Sequence, residues 1–277
     1  MSSASIDRLH APSAEALQHL FDHPSSPTLI TGVVEQWRAH ERWTDAYLER
    51  AAAGHRVDVT VADGRRGVSA RTQKESVELG DCLRRLVTAD ASLRHYVSAL
   101  PLRRVPALLE DVDIGRLVVG RRYQGPNLWA GGDGARSRLH FDATHGCMAM
   151  LRGNKRFVLF APDTLVSRIY PYPLSTRSPN WSRVDDVDSP DLDRFPGFAK
   201  AERVEVVVEA GQVLFIPAHW WHSVVGVGIN IGVNVWFPAP MRRFLSSYCG
   251  LRSLVHEVMK RQPYLNRFRT QLSDEAV

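Results

Sequence analysis

The chain has 277 residues, of which 44% are hydrophobic and 23% charged, a balance that excludes disordered, collagen-like and fibrous classes and leaves one large folded unit with a sizeable core. Lys plus Arg exceeds Asp plus Glu by 35 − 30 = 5, but the basic residues fall as scattered doublets such as Arg103/Arg104, Arg121/Arg122 and Arg242/Arg243. Dispersed charge of that kind reads as solvated surface ahead of a polyanion site.

In chain order, Ser13 followed by Ala14–Asp22 predicts a capped helix, and Thr28–Val34 a buried strand. Trp43–Ala52 predicts a helix with Thr44 as its cap, and Arg56–Ala62 alternates with period two, the mark of a half-buried strand. Leu79–Val87 reads as a helix and Tyr96–Leu100 as a strand. From about residue 115 the texture turns to short strands punctuated by Gly125-Pro126, Gly131-Gly132-Asp133-Gly134, Arg152-Gly153-Asn154, Gly211 and Pro217, which predicts a β-sandwich or barrel. After Pro238, Met241–Gln262 predicts one helix with an apolar stripe formed by Phe244, Leu245, Tyr248, Leu251, Leu254, Val255 and Val258. That stripe packs either on the barrel or on a second copy of the chain. Three units are expected: an α+β region over 1–114, the β core over 115–238 and a helical segment over 239–277.

Cys82, Cys147 and Cys249 are too few and too widely spaced for a disulfide framework or a paired-cysteine zinc site, which points to a reducing compartment. The stretch from Met1 to Leu17 has no basic segment leading into an apolar run, and no window approaches ~18 apolar residues, so a cytoplasmic chain without membrane contact is expected.

The chemistry concentrates in Ser137-Arg138-Leu139-His140-Phe141-Asp142. On a strand, side chains two apart share a face, so His140 and Asp142 point together and supply two ligands of a two-histidine, one-carboxylate facial triad for non-haem Fe(II). The third is sought in the segment 209–224, where an apolar strand ending at Pro217 precedes Trp220, Trp221 and His222. A His-x-Asp triplet alone is a weak signal with a high chance rate. Lys155, at the start of an apolar strand, either faces the interior, where a buried cation needs an anion, or lies at the surface as most lysines do. Trp220, Trp221 and Trp236 are equally suited to a pocket wall and to core packing. His145 and Cys147 lack the strand parity of His140 and are read as non-ligands.

From about Asn127 to Pro238 the chain resembles the Jumonji-C family of Fe(II)- and 2-oxoglutarate-dependent oxygenases, in its small cupin-like hydroxylase branch. The resemblance rests on His140-Phe141-Asp142, Gly153-Asn154-Lys155-Arg156, Leu159–Asp163, Tyr170-Pro171-Tyr172-Pro173, Ser189–Phe198, Ala210–His222 and Val233–Phe237. It implies a double-stranded β-helix (jelly-roll) core, mainly β with α, elaborated by the α+β N-terminal region and by C-terminal helices. It further implies Fe(II) on His140, Asp142 and His222, with His219 a non-ligand, and 2-oxoglutarate on Lys155, Ser137, Asn234 and Trp129. The implied reaction uses O₂ and 2-oxoglutarate to hydroxylate a C–H bond of a peptide, protein or amino-acid side chain, with an RNA base as the alternative substrate and a non-catalytic binding protein as the alternative role. No catalytic group beyond the triad is expected, and the C-terminal helix is expected to make a homodimer. Two departures stand out: Gly146 replaces a polar amide that several members carry, and the segment 174–183 is not a copy of theirs, which leaves Trp181 and Arg183 as candidate contacts to a different substrate.

Overall fold

The computed structural model describes residues 6–61, 74–87 and 95–261. Among the described residues eleven strands form one continuous hydrogen-bonded system: β1 (Asp7–His10), β2 (Thr28–Thr31), β3 (Arg56–Val61), β4 (Lys74–Glu78), β5 (His95–Pro101), β6 (Gln124–Gly131), β7 (Arg136–Phe141), β8 (His145–Phe160), β9 (Val204–Val208), β10 (Val213–Ile216) and β11 (Trp221–Phe237). Helices are α1 (Ala14–Asp22), α2 (Arg38–Arg42), α3 (Asp45–Ala52), α4 (Leu79–Val87), α5 (Pro106–Leu109), α6 (Ile114–Val118), α7 (Val166–Ile169), α8 (Met241–Leu245) and α9 (Tyr248–Arg261). Ser13 and Thr44 cap α1 and α3 by accepting from the N–H groups of Ala16 and Tyr47.

The long strands β8 and β11 run antiparallel along their whole length and bend together where Gly153 faces the 228–230 segment. Only glycine serves at 153: its φ is +60°, and a Cβ there would lie 1.9 Å from the Ile229 carbonyl oxygen. The bend sends the two strands from one sheet into the other. Their outer halves, 155–160 and 221–225, pair with β9 and β7. Their inner halves pair with β10 and β6, and that second sheet is extended by β2 and β1 on one side and by β5, β3 and β4 on the other. This is the jelly-roll architecture, mainly β with α. The N-terminal region therefore contributes strands to the core sheet as well as helices packed on it.

Strand alternation sorts the side chains into three apolar layers. One joins Leu17, Phe21, Trp37 and Leu48 to the outer face of the larger sheet at Phe215, Val235 and Phe237. A second, between the sheets, contains Met150, Phe157, Leu214 and Trp220. A third covers the smaller sheet, where Leu139, Phe141 and Trp221 meet Val184, Phe195 and Cys249. Burying each such large side chain contributes about 1.5–3 kcal/mol.

Two expectations change. The strand at Thr28 stops at Thr31 because Val34 enters a 3₁₀ turn. The helix expected over Met241–Gln262 is broken at Ser246 and Ser247, and Gln262, with the rest of the chain to 277, lies outside the described residues. Ser247 caps α9 by accepting from Gly250 N–H, and the backbone of Phe244 packs onto Gly250, where a Cβ would meet the Phe244 carbonyl oxygen at 2.4 Å. The apolar stripe packs on the barrel only in part: Phe244 meets the His219 ring and Leu254 is half-buried, whereas Leu245 is 61% and Val258 59% exposed, and Tyr248, Leu251 and Val255 are exposed with them. All three cysteines are buried free thiols, and burial pushes Cys82 and Cys249 up to about 12. Among the described residues no helix is long and apolar enough to cross a membrane.

Candidate metal centre and co-substrate pocket

His140 is the penultimate residue of β7, Asp142 follows that strand directly, and His222 is the second residue of β11, where it is the cross-strand partner of His140. Their ligating atoms all lie within 4.8 Å of one another. The His140 and His222 ring centroids are 4.3 Å apart, and His222 Nε2 is 3.9 Å from Asp142 Oδ2. Each histidine donates its Nδ1 hydrogen to a main-chain carbonyl two residues earlier, His140 to Arg138 at 2.7 Å and His222 to Trp220 at 3.0 Å. Those bonds fix the tautomer that leaves the Nε2 lone pair for a metal. Burial, then the neighbouring His140 ring, holds His222 below the ordinary imidazole range and so neutral, the state a ligand needs. Trp236 donates its indole N–H to Asp142 Oδ2 at 3.0 Å. The donor set is the one non-haem Fe(II) takes, and it fits the ion.

The triad faces a partly open cavity that is also lined by Tyr96, Trp129, Ser137, Lys155, Asn234 and Trp236. Lys155 is 1% exposed and donates to Tyr96 Oη at 3.0 Å. Its ammonium lies 5.1 Å from the Tyr96 ring centroid and 5.6 Å from that of Trp129. Among the described residues no carboxylate pairs with it, so this buried ammonium, at the Tyr96 and Trp129 side of the cavity, calls for an anionic ligand. Asn234 accepts at Oδ1 from Trp129 Nε1 at 2.7 Å and from Asn127 Nδ2 at 3.2 Å, which leaves its NH₂ group for a ligand.

Strand parity opposes Ser137 and His140, yet both line the cavity. The register explains it: His222 pairs with His140 but Val224 pairs with Ser137, so β7 carries one extra residue there, a β-bulge that turns Ser137 inward. Tyr96 was missed from sequence, where β5 carries no motif. Its ring fits because Gly131 lies opposite, where a Cβ would come within 2.8 Å of Tyr96 Cδ2. Trp236 joins the pocket, whereas Trp220 and Trp221 belong to core layers.

His145 and Cys147 project from the opposite face of β8. His145 accepts from Ala218 N–H at 3.1 Å, packs between Phe215 and Phe237, and is lowered to about 4, chiefly by burial. His219 adopts φ +72° and ties its backbone N–H to the Asp142 carbonyl at 2.8 Å, with its ring edge-on to Phe244. Of the substrate candidates, Trp181 stacks on the His140 ring at 4.7 Å and 16°. Arg183 instead points to the Tyr170 and Phe195 rings, with each centroid 6.0 Å away. Gly146 sits against Trp236, whose Cδ1 would be 3.4 Å from an added Cβ, so the room released by the missing amide is bordered by the indole.

Residues 14–243 match the family described as the cupin-like domain. The chain is 29% identical over 244 residues to lysine-specific demethylase 8 of Xenopus tropicalis (85% of this chain, 53% of that one). It is 30% identical over 219 residues to lysine-specific demethylase JMJ30 of Arabidopsis thaliana (77% and 50%) and 33% identical over 135 residues to tRNA wybutosine-synthesizing protein 5 of Gallus gallus (49% and 40%). It spans about half the length of the curated relatives it matches. With the jelly roll and the His-Asp-His donor set already in place, these matches show that the chain belongs to the cupin-like JmjC family of Fe(II)- and 2-oxoglutarate-dependent oxygenases.

Proposed function

We propose that the protein is a cytoplasmic Fe(II)- and 2-oxoglutarate-dependent dioxygenase that hydroxylates a C–H bond of a peptide, protein or amino-acid side chain. The observation that carries this reading is the pairing of a preset His140, Asp142 and His222 donor set with the uncompensated Lys155 cation in one cavity. Fe(II), when bound, would supply O₂ activation coupled to decarboxylation of 2-oxoglutarate to succinate and CO₂, with one oxygen atom entering succinate and the other the substrate.

The chain's own residues provide the rest. Lys155, assisted by Tyr96, pairs with a carboxylate of 2-oxoglutarate, a charge-assisted contact stronger than a neutral one. Ser137 and the Asn234 NH₂ offer further polar contacts, and Trp129 walls the pocket against water. The Arg138 and Trp220 carbonyls hold the two imidazoles in the ligating tautomer, and Trp236 orients the carboxylate.

The decisive assay is turnover of 2-oxoglutarate to succinate in the absence of added substrate, which His140→Ala or Asp142→Ala abolishes. Undiminished turnover in either variant overturns the proposal. Failure of the wild type to bind Mn(II) or 2-oxoglutarate supports a non-catalytic binding role instead. Two relatives are named as lysine demethylases, and the same chemistry at an N-methyl group ends in demethylation because the hydroxymethyl product releases formaldehyde. Hydroxylation of an RNA base is the second reading, favoured by the +5 charge and by the likeness to a tRNA-modifying protein. Steeply salt-dependent binding of transfer RNA would select it. A second copy of the chain completes the set of proposed partners, through the exposed stripe of α8 and α9.

A further inference from the structure

β7 has two edges. One pairs with β11, and the other is closed by a strap, residues 170–183, that leaves the core after α7 and doubles back. The returning arm lies against the triad strand: Phe141 N–H donates to Asn180 O at 3.0 Å, Asn180 Nδ2 to Phe141 O at 2.9 Å and Ser182 N–H to Leu139 O at 2.9 Å. This pairing places Trp181 opposite His140, with the rings stacked. One face of the His140 imidazole is therefore covered by the strap.

The strap is clipped from outside the barrel by α9. Arg252 is 7% exposed, and its guanidinium reaches both arms: Nε donates to Pro179 O at 3.0 Å, Nη2 donates to Tyr172 O, and Nη1 donates to Tyr248 Oη at 3.1 Å. One turn further along α9, His256 Nδ1 lies 3.3 Å from Leu174 O. No carboxylate pairs with Arg252 among the described residues, so its fork is directed at main-chain carbonyls of the strap. A planar guanidinium bonds two carbonyls on different arms at once, which a lysine ammonium on a flexible stem does poorly.

We propose that Arg252 is a positioning residue of the metal centre: by clipping Tyr172 to Pro179 it holds the strap that keeps Trp181 against His140. The C-terminal helix thereby sets the rigidity of a site it does not touch. This rests on the reading of His140 as a metal ligand.

The test compares wild type, Arg252→Ala, Arg252→Lys, Trp181→Ala and Arg252→Ala/Trp181→Ala by Mn(II) titration. Acrylamide quenching of Trp181 is read alongside, as the difference between wild type, Arg252→Ala and Arg252→Lys and their respective Trp181→Phe counterparts. Arg252→Ala is expected to weaken Mn(II) binding on the order of tenfold, the low end for loss of a group that orients a ligand. It is also expected to raise the Trp181 quenching constant, with Arg252→Lys intermediate. Trp181→Ala should weaken binding comparably, and Arg252→Ala should add nothing on that background. Wild-type affinity and quenching in a folded Arg252→Ala protein, or a full additive loss in the double variant, overturns the proposal. If Arg252→Ala does not fold, Arg252→Lys alone and with Trp181→Ala carries the same comparison. Absence of Mn(II) binding by the wild type overturns the ligand reading alone, and the quenching series then decides whether Arg252 holds Trp181.

Discussion

Lys155→Met separates the needs of the fold from those of the ligand. A buried ammonium loses several kcal/mol of hydration. The bond to Tyr96 returns about 1.5–3 kcal/mol, and the Tyr96 and Trp129 rings about 0.5–2 kcal/mol each. Without a carboxylate partner the balance is near zero or unfavourable, and methionine fills a similar volume with no charge. The ligand-free variant is therefore expected to match the wild type or exceed it by up to about 2 kcal/mol in urea unfolding. With 2-oxoglutarate the order inverts. Loss of a charge-assisted contact worth about 1.5–3 kcal/mol weakens binding roughly 10- to 150-fold. At a co-substrate concentration 100 times the wild-type Kd, with Mn(II) present, the wild type gains about 2.7 kcal/mol, whereas a variant bound 100-fold more weakly gains about 0.4 kcal/mol. A ligand-free variant clearly less stable than the wild type would show that the ammonium is satisfied within the fold. An equal gain from 2-oxoglutarate would remove Lys155 from the binding site.

Trp236→Phe keeps the ring beside Gly146 but removes the donor to Asp142, and Mn(II) affinity should fall on the order of tenfold, read by titration; an unchanged constant would make the indole a wall only. His145 is held near 4 when folded against about 6.5 when unfolded, so the unfolded chain binds the extra proton. Its contribution is complete above about pH 6.5 and is lost as pH falls from there through 4, by up to about 3 kcal/mol. His145→Asn retains an acceptor for Ala218 N–H and should flatten the decline in urea stability between pH 7 and 4.5; a parallel decline would refute the assignment. Leu251→Arg with Val255→Arg, both at exposed positions that the monomer tolerates, should convert a sedimenting dimer to a monomer with unchanged circular dichroism. A wild type that already sediments as a monomer would dismiss that interface.

What the sequence disclosed followed from local rules. Period-two alternation puts His140 and Asp142 on one face and His145 on the other, and the caps at Ser13 and Thr44 mark their helices. What it concealed depended on register and on distant strands. Ser137 reaches the cavity through an extra residue in β7 that no local pattern announces. Tyr96 reaches Lys155 because β5 joins the sheet beside β6, and the clue, Gly131, reads along the chain as part of a glycine-rich turn when it ends β6 and makes room for a ring. The break between α8 and α9 was legible in principle, since two serines followed by Gly250 combine a cap with a close helix approach, but the unbroken apolar spacing masked it. Arg252 carries no local signal, because its partners are the strap carbonyls of Tyr172 and Pro179, more than seventy positions earlier in the chain.

The entry of Tyr96 into the pocket has a consequence for how the site comes into being. Lys155 meets a residue 59 positions earlier in the chain, and Trp129 meets one 105 positions later. Contacts of such long span close late in folding, because loop entropy must be overcome before they form. The pocket thus forms only once these distant strands have joined, and a nascent chain halted before β11 has neither His222 nor Asn234 with which to capture a ligand. Metal and co-substrate can recognise only a finished sheet, so their binding reports the integrity of the entire barrel.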